Sequence, residues 1–209
     1  MQTGIHREMT QRALAGQVGP RALEVIVAGN LGQDNLRGQV GHDEYHFDNN
    51  AFEAGRRYIQ AQRLMLRPAL EAGDAASAWR AFGRLTHAAQ DFYSHSNYVA
   101  LWRARPANAG LPPSAIDPLD AGLMASPELR SGKIYYPQEV LYYIPPLRKA
   151  ALSILPRDSH AHMNLDSAER GPAFEYAYHA AIKRTRYEFE EIRPLLTPAL
   201  FGLFCSLDS

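Results

Sequence analysis

The chain has 209 residues, of which 46% are hydrophobic, and its 22 basic side chains balance its 22 acidic ones. A chain of this length and composition can bury a compact core, which excludes a disordered polypeptide. The zero net charge excludes a global basic field that would attract nucleic acid or an anionic membrane, so an anionic partner would need a local positive charge such as a bound cation.

Hydrophobic periodicity predicts helices in the first part of the chain, over residues 5–15 and 20–29. They are followed by a loop over 29–50 that is rich in Gly, Asn and Asp, the residues that favour turns. A loop of about 20 residues is usually either functional or disordered. We therefore expect this loop to carry functional residues.

Further helices are expected after this loop. One covers 51–72 and closes at Gly73, and Asp74 then suits the N-cap of a helix that runs to about residue 102. Residues 104–135 contain five prolines and form an irregular excursion instead of a helix.

The last part of the chain predicts two more helices. One covers 137–155 and is interrupted at Pro145 and Pro146, and a long one covers 171–195, with Pro172 suited to its first turn. No alternating β pattern, repeat or linker stands out. The sequence therefore predicts one all-α domain over residues 1–209, with two long loops.

Neither a transmembrane segment nor a signal peptide is predicted. No apolar run approaches the roughly 20 residues of a membrane span, and the opening MQTGIHREMT has no apolar core. The lone Cys205 excludes an intrachain disulfide. The protein is expected to be cytoplasmic, or secreted or periplasmic if Met1 replaces a leader that was removed.

The stretch RLTHAAQDFYSHSNYV, residues 84–99, places His87, Asp91 and His95 at two successive spacings of four. Four residues advance about 400° around a helix, so the three side chains project from one face, about 6 Å apart per step. Imidazole nitrogens and carboxylate oxygens are common ligands of zinc and similar divalent ions. The spacing favours a metal site in which the carboxylate bridges two ions; ordinary polar residues are the alternative.

The other histidines occur mostly in clusters with acidic residues. They lie in GIHREMT, in GHDEYHFDNN and in DSHAHMNLD, and one stands alone on the last long helix as an expected ordinary helix histidine. One metal centre with several ions explains these groups together; a metal-free helical domain with incidental histidines is the alternative. The residues are His6, His42, His46, His160, His162 and His179, accompanied by Asp34, Asp43, Asp48, Asp158 and Asp166.

The motifs HREMTQRAL, HFDN, THAAQDFYSHSNY and HMNLDS together resemble the zinc-dependent phospholipase C and single-strand nuclease superfamily, closest to its Het-C-like branch. The resemblance covers residues 4–100 and 155–192. It implies an α-helical fold that holds zinc ions in a cleft and hydrolyses phosphate esters. The better-known members begin with a tryptophan, whereas no Trp precedes Trp79 here, which leaves the third zinc site open.

Carried over residue by residue, the resemblance implies ligands for two or three zinc ions, with manganese or iron as alternative metals. Asp91 would bridge two ions, and Asp34 would also act in catalysis by orienting or deprotonating the attacking water. The implied ligands are His6 for the third ion, Asp34, His46, His87 and Asp91 for the first, and His95, His162 and Asp166 for the second.

Two of these positions have rivals in the sequence. Asp43 is a rival of Asp34, but it lies only three residues before His46, too close for the spacing of the family. His160 is a rival of His162, which is preferred because an acidic residue follows it four positions later.

The function implied by the resemblance is metal-dependent hydrolysis of phosphate esters by a metal-activated water. The protein would be an enzyme of the phospholipase C or nuclease type, with a phospholipid or nucleic acid as substrate and peripheral contact with a membrane as a further expectation. The alternative is a Het-C-like protein with structural metals that acts by membrane or protein association, in a cell-death or toxin role. The oligomeric state is not indicated.

Overall fold

The computed structural model describes residues 1–35, 38 and 41–206. Their regular structure is helical, with two isolated bridges that pair Ser96 with Ser131 and Lys133 with Ser159. The predicted all-α class is thus confirmed, whereas the single domain over 1–209 stays a prediction. Among the described helices, none combines the length and the apolar character that a membrane span requires.

The helices are named here in chain order. They are α1 (Thr3–Leu14), α2 (Pro20–Leu31), α3 (Asp43–His46), α4 (Phe52–Leu64), α5 (Leu66–Glu71), α6 (Ala75–His95), α7 (Tyr98–Ala104), α8 (Ala121–Met124), α9 (Gln138–Tyr142), α10 (Arg148–Ile154), α11 (His160–Met163), α12 (Ala173–Ile192) and α13 (Pro198–Cys205). Single 3-10 turns at Gly32–Asp34 and Asp48–Asn50 lie within the loop that precedes α4.

The two ends of α6 can be compared with the helix that the sequence predicts. Asp74 caps its N-terminus as predicted, because the carboxylate accepts a hydrogen bond from the Ser77 backbone N–H at 2.9 Å. The predicted continuation to about residue 102 is wrong, because Ser96 has extended backbone angles (φ −107°, ψ 165°) and α7 begins at Tyr98. His95 therefore lies at the very end of α6.

Helix α6 is the central element and is buried along most of its length. It packs against α2 at an unusually close crossing. A Cβ atom placed on Gly83 would lie 2.1 Å from the Ile26 carbonyl oxygen, and one on Gly29 would lie 2.7 Å from the Arg80 carbonyl oxygen. The two backbones therefore touch, which only glycine permits.

A short extended segment, residues 131–133, joins three distant parts of the chain. The Gly132 N–H donates to the carbonyl of His95 at 2.9 Å, and the Gly132 carbonyl accepts from the Asn49 N–H at 2.9 Å. The carbonyl of Lys133 accepts from the His160 N–H at 2.8 Å. The 131–133 segment thus holds the loop after α3, the end of α6 and the start of α11 side by side.

Candidate metal centre

The structure brings several histidine and carboxylate side chains into one buried cluster. The carboxylate of Asp91, on the buried face of α6, lies at the centre of this cluster. Its Oδ2 lies 2.9 Å from His46 Nδ1 and 3.1 Å from His87 Nε2, and its Oδ1 lies 3.1 Å from His6 Nε2. Burial alone would raise the pKa of Asp91, but the nearby Met1 amino group and imidazoles hold it well below its usual range. Asp91 is therefore an anion that is fully removed from water.

One group of ligand-type atoms lies on the His6 side of Asp91. His6, Asp34, His87 and Asp91 each offer one nitrogen or oxygen, and these atoms lie within 4.8 Å of one another. They come from α1, the Gly32–Asp34 turn and α6. Within the described part of the chain, His6 Nε2 and Asp34 Oδ2 are buried without a hydrogen-bond partner. Three separate segments of the chain thus converge on one small space.

A second group lies at the end of α6. Asp48, His95 and His160 again offer ligand-type atoms within 4.8 Å of one another. His95 Nε2 lies 3.4 Å from His160 Nε2 and 3.2 Å from Asp166 Oδ1. The groups adjoin, because His95 Nε2 is only 3.9 Å from Asp91 Oδ1.

The Met1 amino group lies between the two groups. It is 2.6 Å from Asp91 Oδ1 and 3.3 Å from Asp166 Oδ1. Burial would lower the pKa of the Met1 amino group, but the carboxylates of Asp166, Asp91 and Asp34 outweigh that effect and raise it to about 11. The cluster therefore strongly favours positive charge at its centre.

Ring nitrogens on the outer side of the cluster contact protein oxygens. His46 Nε2 lies 3.3 Å from the Gly38 carbonyl oxygen. His160 Nδ1 lies 3.2 Å from the Tyr143 hydroxyl and 3.5 Å from Glu139 Oε1. Such outer contacts orient imidazole ligands and leave the inner nitrogen free to bind a cation.

The second group contains His160 and not His162, the histidine that the sequence favoured. The two side chains are two residues apart on the short helix α11, which places them about 200° apart around its axis. His162 Nε2 instead lies 3.0 Å from the Leu152 carbonyl oxygen, away from the cluster. Asp166, the predicted acidic partner, lies beside the second group, with its Oδ1 3.2 Å from His95 Nε2.

The remaining candidates lie outside both groups. His42 stacks on Tyr45 with ring centroids 4.4 Å apart, and its Nδ1 is 3.0 Å from Glu44. Asp43 accepts a hydrogen bond from Asn49 at 2.9 Å. The fold brings together His6, Asp34, His46, His87, Asp91, His95 and Asp166, and their role as metal ligands stays a prediction.

Two residues of the site were not predicted from the sequence. Asp48 enters the sequence analysis only as an accompanying acid, although it stands in HFDN two residues after the ligand-type His46. Its carboxylate lies 3.3 Å from His95 Nδ1. No sequence pattern points to Glu139, because its contact with His160 depends on how α9 approaches α11.

A cavity of about 520 Å³ opens above the second group. Its lining includes the ligand-type side chains of that group together with Asp34 and His46. The lining also includes the apolar and aromatic side chains of Ile134, Tyr136, Val140 and Tyr143. The cluster is therefore accessible to a small solute.

Residues 7–119 match the family described as the VWA7 N-terminal domain, which is 113 of the 209 residues. The chain belongs to the VWA7 N-terminal domain family. Relatives include von Willebrand factor A domain-containing protein 7 of Rattus norvegicus, 33% identical over 85 residues, and of Homo sapiens, 37% identical over 86 residues. Each match covers 41% of this chain and 10% of the relative. No solved structure matches the chain.

The VWA7 N-terminal domain match corrects the resemblance to the zinc-dependent phospholipase C and nuclease superfamily. Its most specific motif, HAAQDFYSHSNYV, lies inside the matched residues 7–119. The spacing of four between His and Asp follows from helix geometry and does not identify one family or reaction. The hydrolase and phosphodiesterase function and the Het-C-like alternative are therefore wrong. The catalytic role of Asp34 stays an untested prediction.

Proposed function

We propose that this VWA7 N-terminal domain is a cation-binding domain that holds two divalent transition-metal ions, with zinc as the expected metal. The first ion lies in the group around His6, Asp34, His87 and Asp91, and the second lies in the group around His95. Asp91 contributes to both because its Oδ1 lies 3.1 Å from His6 Nε2 of the first group and 3.9 Å from His95 Nε2 of the second.

The observation that carries this proposal is the unpartnered nitrogen of His6. His6 Nδ1 lies 2.7 Å from Gln90 Oε1 and donates its hydrogen to it, so Nε2 presents a lone pair. That lone pair faces Asp91 Oδ1 at 3.1 Å, and both groups are fully buried. Burial lowers the pKa of His6, which favours the neutral ring. Asp91 Oδ1 already pairs with the Met1 amino group at 2.6 Å, whereas the buried lone pair of His6 Nε2 has no donor and is available to a cation.

The mixture of ligand types supports a transition metal rather than calcium or magnesium. Both groups combine imidazole nitrogens with carboxylate oxygens. Calcium and magnesium prefer sites made of oxygen alone, whereas zinc, manganese and iron accept this mixture. Zinc is expected because it binds readily to His and Asp at small coordination numbers.

Metal content is the direct test. Protein purified without chelator should carry two zinc ions per chain in elemental analysis. After removal of metal, zinc at about 100 times its dissociation constant should stabilise the fold by about 2.7 kcal/mol for each ion bound, measured by thermal unfolding. Stoichiometric manganese or iron would keep the cation-binding function and change the metal. No stoichiometric binding of any divalent metal would refute the proposal.

The two histidines of α11 provide a matched pair of variants. His160→Ala should lower the zinc content to one ion, because His160 Nε2 belongs to the second group. His162→Ala should leave both ions bound, because its ring faces Leu152 instead. Elemental analysis of the two purified variants measures their zinc content. Equal zinc loss in the two would contradict the placement of the second ion.

A further inference from the structure

A buried polar network lies directly behind His6, on the side away from the metal groups. Gln90 Oε1 accepts from His6 Nδ1 at 2.7 Å, while Gln90 Nε2 donates to two threonine hydroxyls at 3.0 Å each. A second amide, that of Asn30, also donates to Gln90 Oε1, at 3.1 Å. Every member of the network is fully buried; the members are Thr10, Asn30, Thr86, Gln90 and Thr185.

The network fixes which end of the Gln90 amide faces His6. The Thr185 hydroxyl donates its hydrogen to the Ala181 carbonyl at 2.9 Å, so its oxygen is left to accept from Gln90 Nε2. The amide oxygen must then point the other way, toward His6. The N–H donated by Asn30 requires the same orientation.

We infer that Gln90 is a positioning residue that keeps His6 in the tautomer with the hydrogen on Nδ1, so that Nε2 becomes a metal ligand. This inference rests on the proposed cation-binding function. Without an acceptor at Nδ1, His6 would move its hydrogen to Nε2 and donate it to Asp91 Oδ1, which lies 3.1 Å away. That hydrogen bond would satisfy both groups and remove one ligand from the first ion.

Three variants test this role through zinc affinity, measured by competition with a chelating dye. Gln90→Met removes the acceptor and should weaken binding of the first ion by about 10–100-fold, the usual cost of losing such an outer partner. Gln90→Glu keeps an acceptor toward His6 and should stay within about threefold of the wild type. Gln62→Met makes the same change at another buried glutamine, which accepts from Arg84 at 3.2 Å and lies outside the network, and should leave the affinity unchanged.

The tautomer itself is read in metal-free protein from the ring nitrogen chemical shifts of His6 in ¹⁵N NMR. The wild type, Gln90→Glu and Gln62→Met should show a protonated Nδ1, and Gln90→Met should show a protonated Nε2. A protonated Nε2 in the wild type, or unchanged zinc affinity in Gln90→Met, would overturn the inference while leaving the cation site intact. If the wild type binds no metal, the proposed function fails, and the affinity part of the inference fails with it.

If Gln90→Met does not fold, two measurements still test whether Gln90 sets the tautomer of His6. Gln90→Glu tests whether a bare acceptor is sufficient, and the wild-type spectrum tests the tautomer without any substitution. Loss of zinc affinity in Gln90→Glu, with His6 still protonated on Nδ1, would show that the amide acts in some way other than through the tautomer and would contradict the inference.

Discussion

Asp91→Asn is expected to abolish stoichiometric zinc binding at both groups. The substitution keeps the size of the side chain but removes the charge that faces three imidazoles and the Met1 amino group. Losing an outer-shell partner costs about 10–100-fold in metal affinity, and losing a bridging ligand should exceed about 100-fold. Elemental analysis and dye competition on the purified variant measure the effect.

Asp43→Asn is the matched control for this substitution. It makes the same chemical change on α3, the short helix that carries His46, and the new amide oxygen can still accept from Asn49, as Asp43 does at 2.9 Å. Its zinc content should equal that of the wild type, with the same far-ultraviolet circular dichroism. Two zinc ions retained in Asp91→Asn would show that the carboxylate does not bridge the cluster.

Gly83→Ala is expected to destabilise the fold by about 3 kcal/mol or more, at the upper end of overpacking costs. Alanine in place of glycine within a helix normally stabilises by about 0.5–1 kcal/mol. Here the new Cβ would lie 2.1 Å from the Ile26 carbonyl oxygen and 2.7 Å from the Asn30 backbone nitrogen. Helix α2 would have to move away from α6. Urea unfolding of the metal-free protein measures the change.

Gly202→Ala is the matched control for the helix crossing. Gly202 lies inside α13, and a Cβ placed there meets no described atom within 4 Å. Only the usual helix preference remains, so this variant should be more stable than the wild type by about 0.5–1 kcal/mol. A neutral or stabilising Gly83→Ala would mean that α2 and α6 do not touch as closely as the structure shows.

Local helix geometry explains which part of the site could be predicted. His87, Asp91 and His95 share one helix, so their spacing alone places them on one face. The glycine and capping signals at Gly73 and Asp74 likewise mark the start of α6. These predictions depend on contacts between residues a few positions apart, which the sequence displays directly.

The rest of the site depends on contacts that no local pattern displays. The choice of His160 over His162 follows from how α11 is held against the 131–133 segment. Asp48 enters the cluster because Phe47 adopts a left-handed backbone (φ 58°), which turns the chain sharply after α3. Gln90 looks like any polar residue on a helix until its partners in other helices are known.

The contacts of the 131–133 segment have a consequence for the order in which the molecule folds. They join Asn49, His95 and His160 across chain separations of several tens of residues. Closing such long loops is entropically costly before stabilising contacts form, so these pairings should come after the helices. The second group of ligand-type residues is therefore assembled late, and the unfolded chain offers cations only scattered, weak partners.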